Sequence, residues 1–220
     1  MRASAPLTVD VVSDVVCPWC YLGKRRLEAA ARLVPEIPLR IRWRPFQLDP
    51  TIPPEGIPRA DYVRRKFGSP EALDRPNAQL AKAGAEVGIP YAFDKIARSP
   101  NTIDAHRLIR WAAEAGREDA MVERLFRLYF VEGADVGDRN VLARAAADVG
   151  MDATTVAADL ANGRDRDEVQ AEINAASAAG VTGVPCFIFD RRAAVMGAQA
   201  PELLASAIRQ VATGRKDATR

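Results

Sequence analysis

Apolar positions change their period twice within the first 45 residues. Leu7-Thr8-Val9 and Val11-Val12 make a nearly continuous, β-branched apolar run, the pattern of a strand buried on both faces. From Pro18 to Val34 the spacing becomes helical, which predicts Leu22, Leu27, Ala30 and Leu33 on the inner side of a helix. Leu39-Arg40-Ile41-Arg42-Trp43-Arg44 then alternates apolar and basic side chains, and Pro38 and Pro45 bound it as a second strand. The expected unit is β-α-β, with a helix long enough for a parallel crossover.

Residues 47–58 hold four prolines and Gly56, so they read as a loop. From about Arg59 to Ala179 nearly every segment carries helix signals. Ser99-Pro100 is predicted as an N-cap with proline at the first helical position. Ala105, Leu108, Ile109 and Ala112 share one face of that helix, and Met121 to Val131 is apolar around much of its circumference, as in the centre of a bundle. Further helices are predicted over 139–149, 153–161 and 165–179, separated by glycines at 150, 163 and 180. Strand character returns at Val184–Phe189 and Ala193–Met196, joined by Asp190-Arg191-Arg192 as a hairpin turn, and a helix closes the pattern from Pro201 to Val211.

A helical block between β-α-β and β-β-α halves is an insertion into one sheet. The fold class is α/β: a thioredoxin fold with a large all-helical domain inserted. Residues 1–58 and 180–220 form the thioredoxin-like domain, and 59–179 form the insert.

Composition narrows the function. Hydrophobic residues make up 48% of the 220 positions, ample for a packed core. The 31 basic side chains balance 29 acidic ones and are scattered, so nucleic acid and anionic membrane are not expected partners. No run approaches the roughly 18 apolar residues of a membrane span. Met1 to Pro6 carries one arginine and leads into a strand with Asp10 and Asp14, unlike a secretory signal, so a cytoplasmic location is expected. Gly214 to Arg220 reads as a frayed, solvated end.

In a cytoplasmic chain with three cysteines, a CxxC is more often catalytic or metal-binding than a structural staple. Cys17-Pro18-Trp19-Cys20 lies at the strand-to-helix junction. There the helix offers unpaired N–H groups and partial positive charge, which favours thiolate at Cys17. Cys20 follows about one turn later, within reach of a mixed disulfide formed at Cys17. Pro18 suits the first turn because its missing N–H is an orphan there anyway. Trp19 is expected to be partly exposed and to shape substrate contact. Zinc would need two more ligands, and only Cys186 and the single histidine, His106, remain. No metal is expected.

The chain resembles the DsbA-type thiol-disulfide oxidoreductases, in particular their cytoplasmic FrnE-like branch. The resemblance rests on Asp14 to Gly23, Trp43-Arg44-Pro45-Phe46-Gln47-Leu48, Asn101 to Arg107, Gly180 to Pro185, and Gly197-Ala198-Gln199. It implies Cys17 as the attacking thiolate and Cys20 as the resolving thiol. It also implies Pro185 as a cis-proline facing them, with Val184 offering its backbone to an extended substrate strand. An aromatic residue usually follows that proline in the family, whereas this chain has Cys186. Cys186 reads as a small buried hydrophobe, with a regulatory disulfide or a metal ligand as alternatives. His106 is either a structural residue of a helix flank or a group lining the groove above Cys17.

The implied activity is disulfide exchange with protein or peptide substrates, with no cofactor beyond the Cys17–Cys20 pair. Glutathione as co-substrate, or a thioredoxin-type reductant, is the implied recycling partner. The alternative keeps the fold but resembles 2-hydroxychromene-2-carboxylate isomerase and kappa-class glutathione transferases, which bind glutathione and typically carry serine where Cys17 stands. The apolar pattern of 121–131 leaves a closed bundle or a homodimer contact open.

Overall fold

The computed structural model describes residues 5–217. Strand β1 (Leu7–Ser13) leads into α1 (Pro18–Arg32) and then β2 (Leu39–Pro45). β1 and β2 pair in parallel from Leu7↔Leu39 to Ser13↔Pro45. The return strands β5 (Cys186–Phe189) and β6 (Ala193–Met196) complete a four-stranded sheet of order β2-β1-β5-β6. β5 runs antiparallel to β1, with Val11 opposite Phe187 and Val12 opposite Cys186. This is the thioredoxin fold carrying a helical insertion.

The alternation of side chains sorts the sheet into two faces. Val9, Val11, Trp43, Phe187 and Phe189 share one buried cluster with Leu27 and Ala30 of α1 and with Leu204 and Ile208 of α9 (Pro201–Asp217). On the other face Val12 and Cys186 pack with Val181. There Asp10 accepts hydrogen bonds from Arg42 and Arg44, each at 2.9 Å. Two of the three arginines of β2, Arg42 and Arg44, are therefore paired within the sheet.

Two residues, Ile57–Pro58 (β3), pair antiparallel with Arg98–Ser99 (β4) at the root of the insert. The inserted helices are α2 (Arg59–Phe67), α3 (Asp74–Glu86), α4 (Ile103–Glu114), α5 (Glu118–Arg127), α6 (Arg139–Asp148), α7 (Ala153–Asn162) and α8 (Arg166–Ala178). Beyond α5 the chain makes a π turn, Leu128–Glu132, which Gly133 ends with φ 72°. Met121, Val122, Leu125, Phe126, Leu128, Tyr129 and Phe130 are all buried, so the apolar stripe closes the bundle. The wholly buried Arg107 ties α4 to the end of α7, donating to the carbonyls of Asp159 and Arg164 at 2.6 Å each.

Several expectations need correction. Ser99-Pro100 does not open α4: Ser99 lies in β4, and the Asn101 side chain accepts from Ile103 N–H at 3.1 Å, so the helix starts at Ile103. Leu33 is 44% exposed while Val34 is fully buried, because α1 ends at Arg32 and the phase breaks there. β5 begins at Cys186 rather than Val184, since Pro185 has no N–H for the ladder. The frayed end predicted from Gly214 is helical in α9 as far as Asp217; Ala218 to Arg220, like Met1 to Ser4, lie outside the described residues. The hairpin turn holds: Asp190 and Arg191 adopt φ 51° and 58°, the left-handed pair a tight hairpin uses.

Candidate active site

The end of β1 and the start of α1 place the two cysteines. Cys17 occupies the N-cap with φ −94° and ψ 111°, and its side chain caps nothing. Its N–H donates to the Asp14 carbonyl and its own carbonyl accepts from Cys20 N–H, both at 3.0 Å. This leaves the sulfur free to face across the sheet end. There the Cys17 thiol donates to the Val184 carbonyl with an Sγ–O distance of 3.6 Å. Val184-Pro185 is a cis peptide bond. The expected confrontation between the CxxC and Val184-Pro185 is thus the geometry found.

Gly23, one turn beyond Cys20, makes the approach close. A Cβ there would stand 3.0 Å from Pro185 Cγ and 3.1 Å from Phe187 Cζ. Both cysteines are buried, Cys17 at 3% exposure and Cys20 at 1%, and both are thiols, whereas Trp19 is 39% exposed. Burial pushes the Cys20 thiol up, the hydrogen bond and charge of Cys17 push it further, and Ser13 and the Asp14 backbone pull it back.

Under the β1–α1 turn lies Asp14, 1% exposed. One carboxylate oxygen accepts from Leu48 N–H at 2.8 Å; the other, Oδ1, is buried without a hydrogen-bond partner, and His106 Nε2 stands 3.4 Å away. His106 Nε2 also lies 2.9 Å from the Phe46 carbonyl oxygen. His106 therefore sits beneath the loop that carries the dithiol, engaged with Asp14 and Phe46 rather than with either sulfur. A cavity of about 240 Å³ continues from Ser13 and His106 between β2 and α4, with Trp43 and Arg110 in its wall.

Cys186 faces Val12 and Val181 on the opposite side of the sheet from α1, and burial pushes its thiol up. Among the described residues no three His, Cys, Asp or Glu side chains converge as a metal ion would need. Sequence reasoning missed Tyr91, whose hydroxyl donates to the Pro18 carbonyl at 2.6 Å from a position 73 residues away. No local sequence pattern around Tyr91 marks the contact.

The family model described as DSBA-like thioredoxin domain matches residues 8–209. The chain belongs to the DSBA-like thioredoxin family. Among solved members of similar shape, the probable DsbA oxidoreductase SCO1869 from Streptomyces coelicolor is 34% identical, with TM-score 0.86 over 93% of this chain and 89% of that one. The uncharacterized protein YwbO of Bacillus subtilis (strain 168) is 29% identical across 82% of this chain and 85% of its own. Two more distant structures share the fold. A 2-hydroxychromene-2-carboxylate isomerase is 19% identical, with TM-score 0.71 and coverage of 96% and 98%. The cytosolic disulfide reductase DsbM from Pseudomonas aeruginosa, solved with GSH, is 21% identical, with TM-score 0.67 and coverage of 94% and 100%. No helix of the described residues is long and apolar enough to cross a membrane.

Proposed function

We propose that this DSBA-like protein is a thiol-disulfide oxidoreductase and isomerase that exchanges disulfides with protein or peptide substrates through Cys17-Pro18-Trp19-Cys20. The observation that carries the reading is the Cys17 sulfur, at the positive end of α1, 3.6 Å from the Val184 carbonyl, with Cys20 behind it. Cys17, as thiolate, attacks one sulfur of a substrate disulfide. A mixed disulfide forms and the other substrate sulfur leaves as thiolate. Cys20 then loses its proton and attacks the Cys17 sulfur, closing the Cys17–Cys20 disulfide and releasing the second substrate thiol. Two electrons pass from the protein dithiol to the substrate. The reverse sequence oxidises a substrate dithiol, and attack by a second substrate thiol on the mixed disulfide isomerises.

The β5 end beside Val184 suits an extended peptide, whose backbone would pair where Pro185 breaks the ladder. Trp19 supplies the apolar contact at the lip, and Cys186 stays a packing residue on the far face. Glutathione or a thioredoxin-type dithiol is the class of reductant that recycles the pair in the cytoplasm, and the DsbM likeness supports that setting. A thiol at position 17 favours this reading over the glutathione-dependent isomerase. The test is insulin reduction and scrambled-ribonuclease reactivation by wild type, Cys17→Ser and Cys20→Ser. Cys17→Ser is expected to lose at least about a hundredfold, on the order of removing a covalent nucleophile. Full activity of Cys17→Ser contradicts the mechanism.

A further inference from the structure

A hydroxyl of the inserted helical domain reaches the backbone of the redox turn itself. The Tyr91 hydroxyl donates to the carbonyl of Pro18, the residue between the attacking cysteine and Trp19, at 2.6 Å. Tyr91 is itself held from three sides. Its ring stacks on Phe93 at 5.0 Å and meets the edges of Tyr21 and Phe130 at 6.0 and 5.6 Å. Gly84 lies against it so closely that a Cβ there would come within 2.6 Å of the ring. The π turn after α5 contributes the last support: the Phe130 carbonyl within it accepts the N–H of Ala92, the next residue, at 2.8 Å. So rigid a mounting serves one hydroxyl. Burial first, then the charges of Cys17, Tyr21 and Cys20, keep that hydroxyl protonated and donating.

Resting on the dithiol reading above, we propose that Tyr91 is a positioning residue for the second step of exchange. Its hydroxyl, presented by the helical domain, fixes the Pro18-Trp19 turn so that Cys20 stays within reach of the Cys17 sulfur. Closure of the intramolecular disulfide is a unimolecular attack, and its equilibrium constant measures the effective concentration of one thiol toward the other. The first step needs only Cys17 and is indifferent to how firmly Cys20 is placed. Loss of the Tyr91 hydroxyl therefore acts on closure alone.

The experiment is equilibration of the reduced protein with glutathione disulfide, with acid quench and mass spectrometry of the dithiol, mixed-disulfide and intramolecular-disulfide forms. In the first equilibrium Cys17 takes one glutathionyl group and a glutathione thiolate leaves. In the second Cys20 displaces the other glutathione thiolate, completing a two-electron oxidation of the protein. Tyr91→Phe keeps the ring and its packing. It is expected to lower the closure constant about fivefold, the size of one net hydrogen bond, while the first constant stays within about twofold. If Tyr91→Phe fails to fold, Gly84→Ala, which pushes the ring aside without touching the redox turn, is expected to give the same split. A closure constant unchanged in the variant, or an equal fall in both constants, overturns the role of Tyr91 and leaves the dithiol reading intact. A wild-type protein that forms neither disulfide with glutathione disulfide overturns both.

Discussion

Gly23 faces Pro185 across the gap between α1 and β5, and the contact sets two energies against each other. Glycine inside a helix costs about 1 kcal/mol relative to alanine, so Gly23→Ala would stabilise α1 in isolation. Here the new methyl would press on the Pro185 ring at 3.0 Å and on Phe187, itself fully buried, at 3.1 Å. Overpacking of that kind costs about 1–3 kcal/mol, and since Pro185 and Phe187 are both buried it is expected to outweigh the gain. Gly23→Ala is expected to lose about 1 kcal/mol in urea denaturation and to slow insulin reduction severalfold by pushing Val184 away from Cys17. A variant as stable and as active as wild type would show that α1 and Pro185 are not in close contact. Much at this level is legible in the amino-acid sequence itself. Cys17, Pro18 and Cys20 announce themselves through spacing and residue type, and Pro185 through the family resemblance. Tyr91 and the pairing of Asp14 with His106 do not, because they are single long-range contacts without a local period.

Helices and strands divide along the same line. β1 and β5 are legible as short apolar runs, β2 by its alternation of apolar and basic residues, and α1 by its helical spacing. The β3–β4 pair escapes, since two residues per strand, Ile57-Pro58 against Ser99-Arg98, carry no period. The misplaced start of α4 has a kindred cause: Ser-Pro is a capping signature, but the Asn101 side chain takes over that task two residues later. Between α5 and the sheet, Glu118 at the helix N-terminus accepts the Trp43 N–H at 2.8 Å. Burial pushes this carboxyl up, against the pull of the Trp43 hydrogen bond and the Arg44 charge. A raised folded value means that the contribution of Glu118 to stability is full below the ordinary carboxylate range and declines as pH rises through the folded value. Glu118→Gln keeps an acceptor for Trp43 and removes the buried charge. Its Tm relative to wild type is expected to be higher at pH 7 than at pH 4. A difference that is flat or reversed with pH would contradict a strained carboxylate at this junction.

The protein as assembled places an apolar helical insert beside a thioredoxin sheet and joins them at the redox turn. Tyr21 leads from α1 into the insert, stacking on Phe126 at 5.0 Å and hydrogen-bonding Glu123 at 2.9 Å. Buried Lys24 on the same helix lies among Glu28, Asp119 and Glu123. The helix that Cys17 caps is thus anchored on one side by the sheet and on the other by α5. Such anchoring suits chemistry that needs two sulfurs held in register while a substrate strand comes and goes. The division of labour between those sulfurs is most directly tested by Cys20→Ser. Incubated with a peptide disulfide and digested under acid, this variant is predicted to carry the peptide covalently on Cys17, because nothing remains to displace it. An adduct on Cys186 instead, or no adduct at all, would contradict the assignment of Cys17 as the sulfur that captures substrate.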